Sequence, residues 1–332
     1  MRAAYYESTG SARDVLKLAE IDDPQPADGE VLVEVAYSGV NPSDVRARGG
    51  GSKRPFNFAR TVPHSDGAGT IVAVGTGVPN ERIGERVWLW NGQWFRPFGT
   101  AAERVALPSV QAVTLPSGIS LEEGACLGIP ALTAWYGLHH TPDIAGKTIL
   151  VVGGAGSVAR YAIEMAKSRG ARVLTTTSVA EKTKYALDAG ADMALDYRAP
   201  DFAERVLAET SDQGLDYCLE SNLAGNAALL PTIMAKYGTV VIYGTGGPEA
   251  TIPSNAIMQK NIRMQFVFVY EIADAERPSA LTGINALLEQ RAITKPKTVI
   301  FDLDQVVEAH EAVEDGTRFG QVLVRIGGEA AA

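Results

Sequence analysis

Three glycines, Gly153, Gly154 and Gly156, separate an apolar run, Ile149-Leu150-Val151-Val152, from an amphipathic pattern running from Val158 to Gly170. Glycine is needed where a backbone must turn tightly and approach a phosphate with no Cβ in the way. The amides opening the following helix then add N–H donors and the positive end of its dipole. In Gly154-x-Gly156-x-x-Ala159 the third position tolerates alanine, because it need only permit close helix–strand packing. A plain tight turn would satisfy the glycines alone, but a strand before and a helix after them favour a dinucleotide pyrophosphate site. That site is expected to comprise Gly154, Ala155, Gly156, Ser157, Val158 and Ala159.

The end of the next apolar run bears on which dinucleotide binds. A site for NAD places Asp or Glu about 20 residues beyond the glycines, on the ribose 2′-hydroxyl. Counting on from Gly154 gives Leu174, Thr175, Thr176, Thr177 and Ser178, none of them acidic. An acid would repel a 2′-phosphate, whereas hydroxyls and a cation would hold one. Lys182 lies one helical turn beyond Ser178, and Arg198 follows the next strand; each alone also fits a solvated surface charge. Together they favour NADPH (NADP+) as the cofactor.

The elements that must position this loop alternate. Strand patterns at 148–154, 171–177, 193–197, 216–221, 239–244 and 263–269 are separated by helical patterns at 158–170, 181–190, 202–210 and 226–237. Such spacing predicts an α/β fold with a doubly wound parallel sheet. A helical segment, 121–140, precedes it. The first third instead shows short β runs at 31–40, 69–75 and 85–90, cut by Pro24, Pro26, Pro42, Pro55, Pro63 and Pro79, as in a compact barrel or sandwich. After Tyr270 come helix-like stretches near 278–291 and 304–315 and a terminal strand, 320–326. This tail is expected to pack back on the first unit, giving a discontinuous domain, 1–124 with 271–332, and an inserted one, 125–270.

Composition narrows the function. With 21% charged residues and a net charge of −9, the chain has no basic footprint for nucleic acid or an anionic membrane. No apolar run approaches the roughly 20 residues of a membrane-spanning helix. The first residues lack the basic-then-apolar form of a secretory signal, so a cytoplasmic location is expected. Two cysteines, Cys126 and Cys218, in apolar contexts read as core residues and cannot supply a cysteine-rich zinc lobe.

Further motifs carry a resemblance over nearly the whole chain. They are Ser38-Gly39-Val40-Asn41-Pro42-Ser43-Asp44, Pro63-His64-Ser65-Asp66-Gly67-Ala68-Gly69, Gly84-Glu85-Arg86-Val87, Gly128-Ile129-Pro130 with Leu132-Thr133-Ala134, the glycine loop, and Glu220-Ser221-Asn222. In these the chain resembles the medium-chain dehydrogenase/reductase superfamily and, within it, the zinc-independent quinone oxidoreductase branch that includes zeta-crystallin. The resemblance implies a GroES-like β-barrel catalytic domain completed by the C-terminal tail, with a Rossmann domain for NADPH inserted. It also implies a homodimer formed partly through the sixth Rossmann strand, near 263–269. As an unpaired edge that strand would invite aggregation, which suits a subunit interface; an internal strand is the alternative.

The resemblance also assigns roles. Where the superfamily's zinc enzymes hold metal with Cys, His and Cys, this chain has Asn41, Ser65 and Ile129, so no metal is expected. Hydride would then pass directly from the nicotinamide to a quinone or, alternatively, to an enone or alkenal double bond. Asn41 is the first candidate to stabilise the oxygen that gains charge, although Asn before Pro also sets turns. Ser43 and Asp44 share its loop, Asp44 reading as structural before catalytic. Gly51 stands where relatives carry a tyrosine, and with Gly49 and Gly50 opens the pocket wall. His64 is expected on a loop or the pocket wall. Trp88, Trp90, Trp94 and Phe95 would either stack on a bulky aromatic acceptor or pack in the protein's interior. Carried over residue by residue, Thr133 approaches the nicotinamide or its phosphates, and Val267 and Phe268 approach the nicotinamide. Ser178, Lys182 and Tyr197 take the 2′-phosphate, and Asn222, Gly244 and Thr245 line the cofactor groove. A non-catalytic NADPH-binding, crystallin-like protein is the reading from another class.

Overall fold

Parallel strands buried on both faces read as continuous apolar runs and need helices to cover them, and this is how residues 131–294 are built. The computed structural model of the chain describes residues 1–51, 58–139, 143–316 and 319–327; Pro55 and His140 lie outside these. The chain divides into two compact units, Met1–Pro130 with Lys295–Ala332, and Ala131–Thr294.

In the second unit six strands lie in the order Met193–Asp196, Arg172–Thr177, Thr148–Val151, Leu215–Glu220, Met234–Ile242 and Arg263–Phe266. All neighbours are parallel. This is the doubly wound dinucleotide-binding order, whose direction reverses beside Thr148–Val151 and opens a crevice at the strands' carboxyl ends. Helix Ser157–Ser168 buries Ala159, Ala162, Ile163 and Ala166 against the sheet. The helix expected over 226–237 instead breaks into Leu223–Asn226 and Leu230–Ile233, and a strand begins at Met234. Pro231 explains this, since its ring removes a donor and is tolerated only in a first helical turn. Helix Arg277–Glu289 also belongs to this unit, which therefore extends beyond 270. Its Gly283 sits against Trp135, where a Cβ would come within 1.9 Å of the indole.

The first unit is an antiparallel sheet curled around Val31, Val33, Val35, Ile71, Val87, Leu89, Val105 and Leu107. Strand Glu30–Val40 is its hub, pairing with Asp66–Val74, Arg104–Pro108 and Gln321–Arg325. A strand that the sequence pattern does not reveal, Thr298–Asp302, runs parallel to Gln321–Arg325.

Helix Val306–Glu314 is anchored by a buried polar chain whose direction can be deduced. Thr100 Oγ1 donates to the main-chain oxygen of Asp66 at 2.5 Å, so Ser38 Oγ, 2.7 Å away, must donate to Thr100. Ser38 then accepts from His64 Nδ1 at 2.8 Å, leaving His64 Nε2 bare to accept from His310 Nε2 at 2.9 Å. Burial disfavours the charged form of both imidazoles, which are neutral near pH 7. Burial holds His64 well below 6.5 and His310 at about 3, and each has a positive charge or its partner ring nearby to reinforce the effect. The unfolded chain takes up these protons first, so stability present at neutral pH is lost progressively as pH falls below about 6.5. The melting temperature is expected to drop between about pH 6.5 and 5. His310→Gln, which still donates but does not titrate, should flatten that slope in differential scanning calorimetry; an unchanged slope would contradict the two-histidine assignment.

Candidate active site

The glycine loop follows strand Thr148–Val151 directly. Gly153 has φ +77°, a left-handed conformation that costs a residue with a side chain about 1 kcal/mol or more. At Gly154 a Cβ would fall 2.3 Å from Thr175 Oγ1 on the adjacent strand. Gly154 N donates to Thr176 O at 2.9 Å and Gly153 N to Thr176 Oγ1 at 2.8 Å, fastening the loop to that strand. Gly156 caps helix Ser157–Ser168, whose first amides face away from intrahelical partners. A Cβ-free turn ending at a 12-residue helix fits a nicotinamide dinucleotide's pyrophosphate.

The threonines have a different role from the one their position suggests. Thr175, Thr176 and Thr177 are buried, and their hydroxyls bond Val151 O, Gly153 N and Thr183 Oγ1. They hold the loop and the next helix, leaving Ser178 as the partly exposed hydroxyl at the strand end. Arg198 donates to the Ser178 carbonyl and pairs with Asp196, holding that carboxyl at about 2. The acid near this edge is thus neutralised locally. Lys182, half-buried on helix Ala180–Asp188, has no ion-pair partner among the described residues.

A cavity of about 500 Å³ opens beside the loop, lined among others by Gly153, Thr176, Tyr197, Glu220, Ser221 and Asn222. It brings together Tyr197 and Asn222 from the expected set; Ser178, Lys182, Thr133, Val267 and Phe268 lie off its lining. Gly244 and Thr245 support it from behind: their carbonyls accept from Leu223 N and Ala224 N, and a Cβ on Gly244 would meet Ser221 O at 2.1 Å. Glu220, which the motif contains but no role was read for, accepts from Asn222 N and Asn226 Nδ2. Burial raises its carboxyl, and these donors oppose the rise. Thr133 and Val267 are buried, whereas Phe268 is 56% exposed.

In the first unit Asn41 caps helix Pro42–Arg48, with Asp44 accepting from Asn41 N at 2.8 Å. The Asn41 side chain turns inward, its Nδ2 donating to Asp66 Oδ2 at 2.7 Å, and Ile129 N donates to both Asp66 oxygens at 2.9 Å. Ser43 is partly exposed beside them. Burial, then the Asp44 charge, pushes the Asp66 carboxyl well above the usual carboxylate range, while Ile129 N and Asn41 pull it back. The sequence signal for Asp66 is an acid set among small residues, Ser65-Asp66-Gly67-Ala68-Gly69.

Three expected pocket residues are placed elsewhere. His64 is fully buried in the polar chain to His310, and Trp88 is fully buried in the sheet. Trp90 is 5% exposed, with Nε1 on Val110 O. Trp88 lies within strand Arg86–Leu89, whose last three residues are all buried, and Trp90 follows directly after it. Trp94 and Phe95 pack edge to face, and Phe95 is 62% exposed, leaving an aromatic surface there. Gly51 is exposed, its Cβ position 3.0 Å from Arg46 Cγ.

A parallel dinucleotide fold joined to a curled antiparallel sheet defines a nicotinamide-dependent dehydrogenase or reductase. Residues 27–117 match the alcohol dehydrogenase GroES-like domain and residues 157–284 the zinc-binding dehydrogenase family. Human quinone oxidoreductase is 29% identical, covering 92% of this chain and 91% of its own. Tomato 2-methylene-furan-3-one reductase is 30% identical over 98% of this chain and 79% of its own. Among solved structures, a mycobacterial protein complexed with NADPH superposes with TM-score 0.88 at 28% identity, covering 98% and 100% of the two chains. The chain belongs to the medium-chain dehydrogenase/reductase superfamily, in its quinone oxidoreductase branch, and is an NAD(P)H-dependent oxidoreductase.

Gly154→Ala drives a methyl into Thr175 and should weaken dinucleotide binding at least about tenfold, near 1.4 kcal/mol, by isothermal titration. Affinity within twofold of wild type would show that the loop can relax around the added atom.

Proposed function

We propose that the protein is an NADPH-dependent quinone reductase that transfers hydride without zinc. The observation that carries the reading is the Asn41–Asp66 pair. Positions 41, 65 and 129 offer an amide, a hydroxyl and an alkyl side chain, and the amide is already committed to a carboxylate. Such a set is poor in metal donors and well suited to hydrogen bonding. A bound nicotinamide supplies the hydride. The backbone from Gly153 to Ala159 holds the pyrophosphate, with Tyr197 and Asn222 at the adjoining cavity. Ser178 and Lys182 offer the 2′-phosphate a hydroxyl and a cation. Asn41 keeps a second Nδ2 hydrogen with which to stabilise the acceptor oxygen as it gains charge. Trp94 and Phe95 present the aromatic surface for a flat acceptor.

Reduction of an enone double bond is the second reading. It is favoured by the tomato relative, whose named substrate has a methylene group conjugated with a ketone. A homodimer is proposed through the edge strand Arg263–Phe266, supported by Phe266 and Phe268 at 60% and 56% exposure.

The test follows NADPH absorbance with 9,10-phenanthrenequinone, 1,4-benzoquinone and a simple enone. Fastest turnover is expected with the polycyclic quinone. Tight NADPH binding with no oxidation by any acceptor would leave a binding protein. Lys182→Ala should raise the Michaelis constant for NADPH about tenfold, near 1.4 kcal/mol, and leave that for NADH within twofold. Equal effects on both cofactors would overturn the 2′-phosphate assignment.

A further inference from the structure

Asp66 is completely buried, yet space has been made for its carboxylate. A Cβ on Gly128 would fall 2.1 Å from Asp66 Oδ1, and one on Gly39 would fall 3.1 Å from Asp66 Cβ. Its oxygens meet two donors of different kinds. Ile129 N belongs to the first turn of helix Gly128–His139, a place that favours an anion, and Asn41 Nδ2 belongs to a side chain only 3% exposed. Asn41 is thus held from two sides: it shares a reciprocal capping box with Asp44, which takes its main-chain N–H, and Asp66 takes its side-chain N–H.

Asp66 Oδ2 accepts from Ile129 N as well as from Asn41 Nδ2, so, with any proton on Oδ1, it meets the amide as an acceptor and admits one orientation of it. With Nδ2 turned toward Asp66, Asn41 Oδ1 points the other way, and the second Nδ2 hydrogen has a fixed direction. Without that acceptor the amide could rotate by half a turn and present a carbonyl oxygen where a donor is needed. Two oxygens facing each other would then repel an acceptor oxygen that is becoming negative. Fixing a donor in advance is worth most where it meets charge that develops only during the reaction.

We propose that Asp66 is a positioning residue for the reductase reaction, setting the orientation of the Asn41 amide so that its free N–H meets the acceptor oxygen. The inference rests on the reading of Asn41 as that donor. Asp66 is fully buried, and its effect passes through Asn41.

A double-mutant cycle with a quinone acceptor tests it. Asp66→Ala should lower kcat about thirtyfold, some 2 kcal/mol by the usual conversion, with NADPH affinity by fluorescence titration within twofold. Asp66→Asn, whose carbonyl can still accept from Asn41, should recover most of the loss. In an Asn41→Ala background, Asp66→Ala should have no further effect on kcat. Multiplicative losses, or Asp66→Ala with kcat within twofold of wild type, overturn the proposal. If Asn41→Ala alone leaves kcat unchanged, the Asn41 reading fails instead.

A measurement on the unmutated, cofactor-free protein decides the matter even if Asp66→Ala does not fold. In protein labelled with 15N-asparagine, one Asn41 side-chain hydrogen should exchange with solvent at least about tenfold slower than the other. Equal, fast exchange of both would show that Asp66 does not hold the amide and would end the proposal.

Discussion

Between strands Thr148–Val151 and Arg172–Thr177 there is no room for a side chain at position 154, and much of the second unit's function follows from that contact. Thr175 Oγ1 occupies the space a Cβ would need, 2.3 Å away, while bonding the Val151 carbonyl at 2.6 Å. The strand end is thereby closed, and the loop leaves it in the one direction that brings helix Ser157–Ser168 amide-first toward the crevice. Thr176 completes the fastening with its carbonyl and hydroxyl on successive glycine amides. The polar groups of the second strand therefore serve the loop's geometry before they serve any ligand. Discrimination between cofactors falls to residues just past the strand, where Arg198 offsets Asp196 and Lys182 stands without an ionic partner among the described residues.

The first unit solves a related problem with charge instead of close contact. Burying a lone carboxylate is costly unless donors surround it. Asp66 meets that cost with a helix-terminal amide and a side-chain amide, and its main-chain oxygen receives Thr100. One residue thus links strand Asp66–Val74, the turn into helix Pro42–Arg48, and the opening of helix Gly128–His139. The nearby histidines remain neutral because burial penalises their charged forms.

The glycine loop, the order of alternating elements and the antiparallel first unit were legible because each leaves a local signature: a glycine spacing, a change of period, a proline-punctuated β run. What sequence could not show was which polar residues are already occupied. Thr175, Thr176 and Thr177 look like free hydroxyls at a cofactor edge, and only the neighbouring strand reveals their partners. His64, Trp88 and Trp90 look like pocket residues until strand phase and long-range contacts, such as His64 with His310, are known. Pro231 was visible, but its ability to split a helix competed with an apolar pattern that continued through it. Strand Thr298–Asp302 was hidden because its order comes from pairing with Gln321–Arg325.

That last pairing has a bearing on biogenesis. Strand Glu30–Val40 needs Gln321–Arg325 beside it, and the two are separated by almost the entire polypeptide. During synthesis the dinucleotide unit, contiguous from Ala131 to Thr294, emerges whole while the earlier sheet still lacks its closing strands. A nascent chain therefore exposes the hub strand's edge at Tyr37–Val40 until its partner, Gln321–Arg325, emerges.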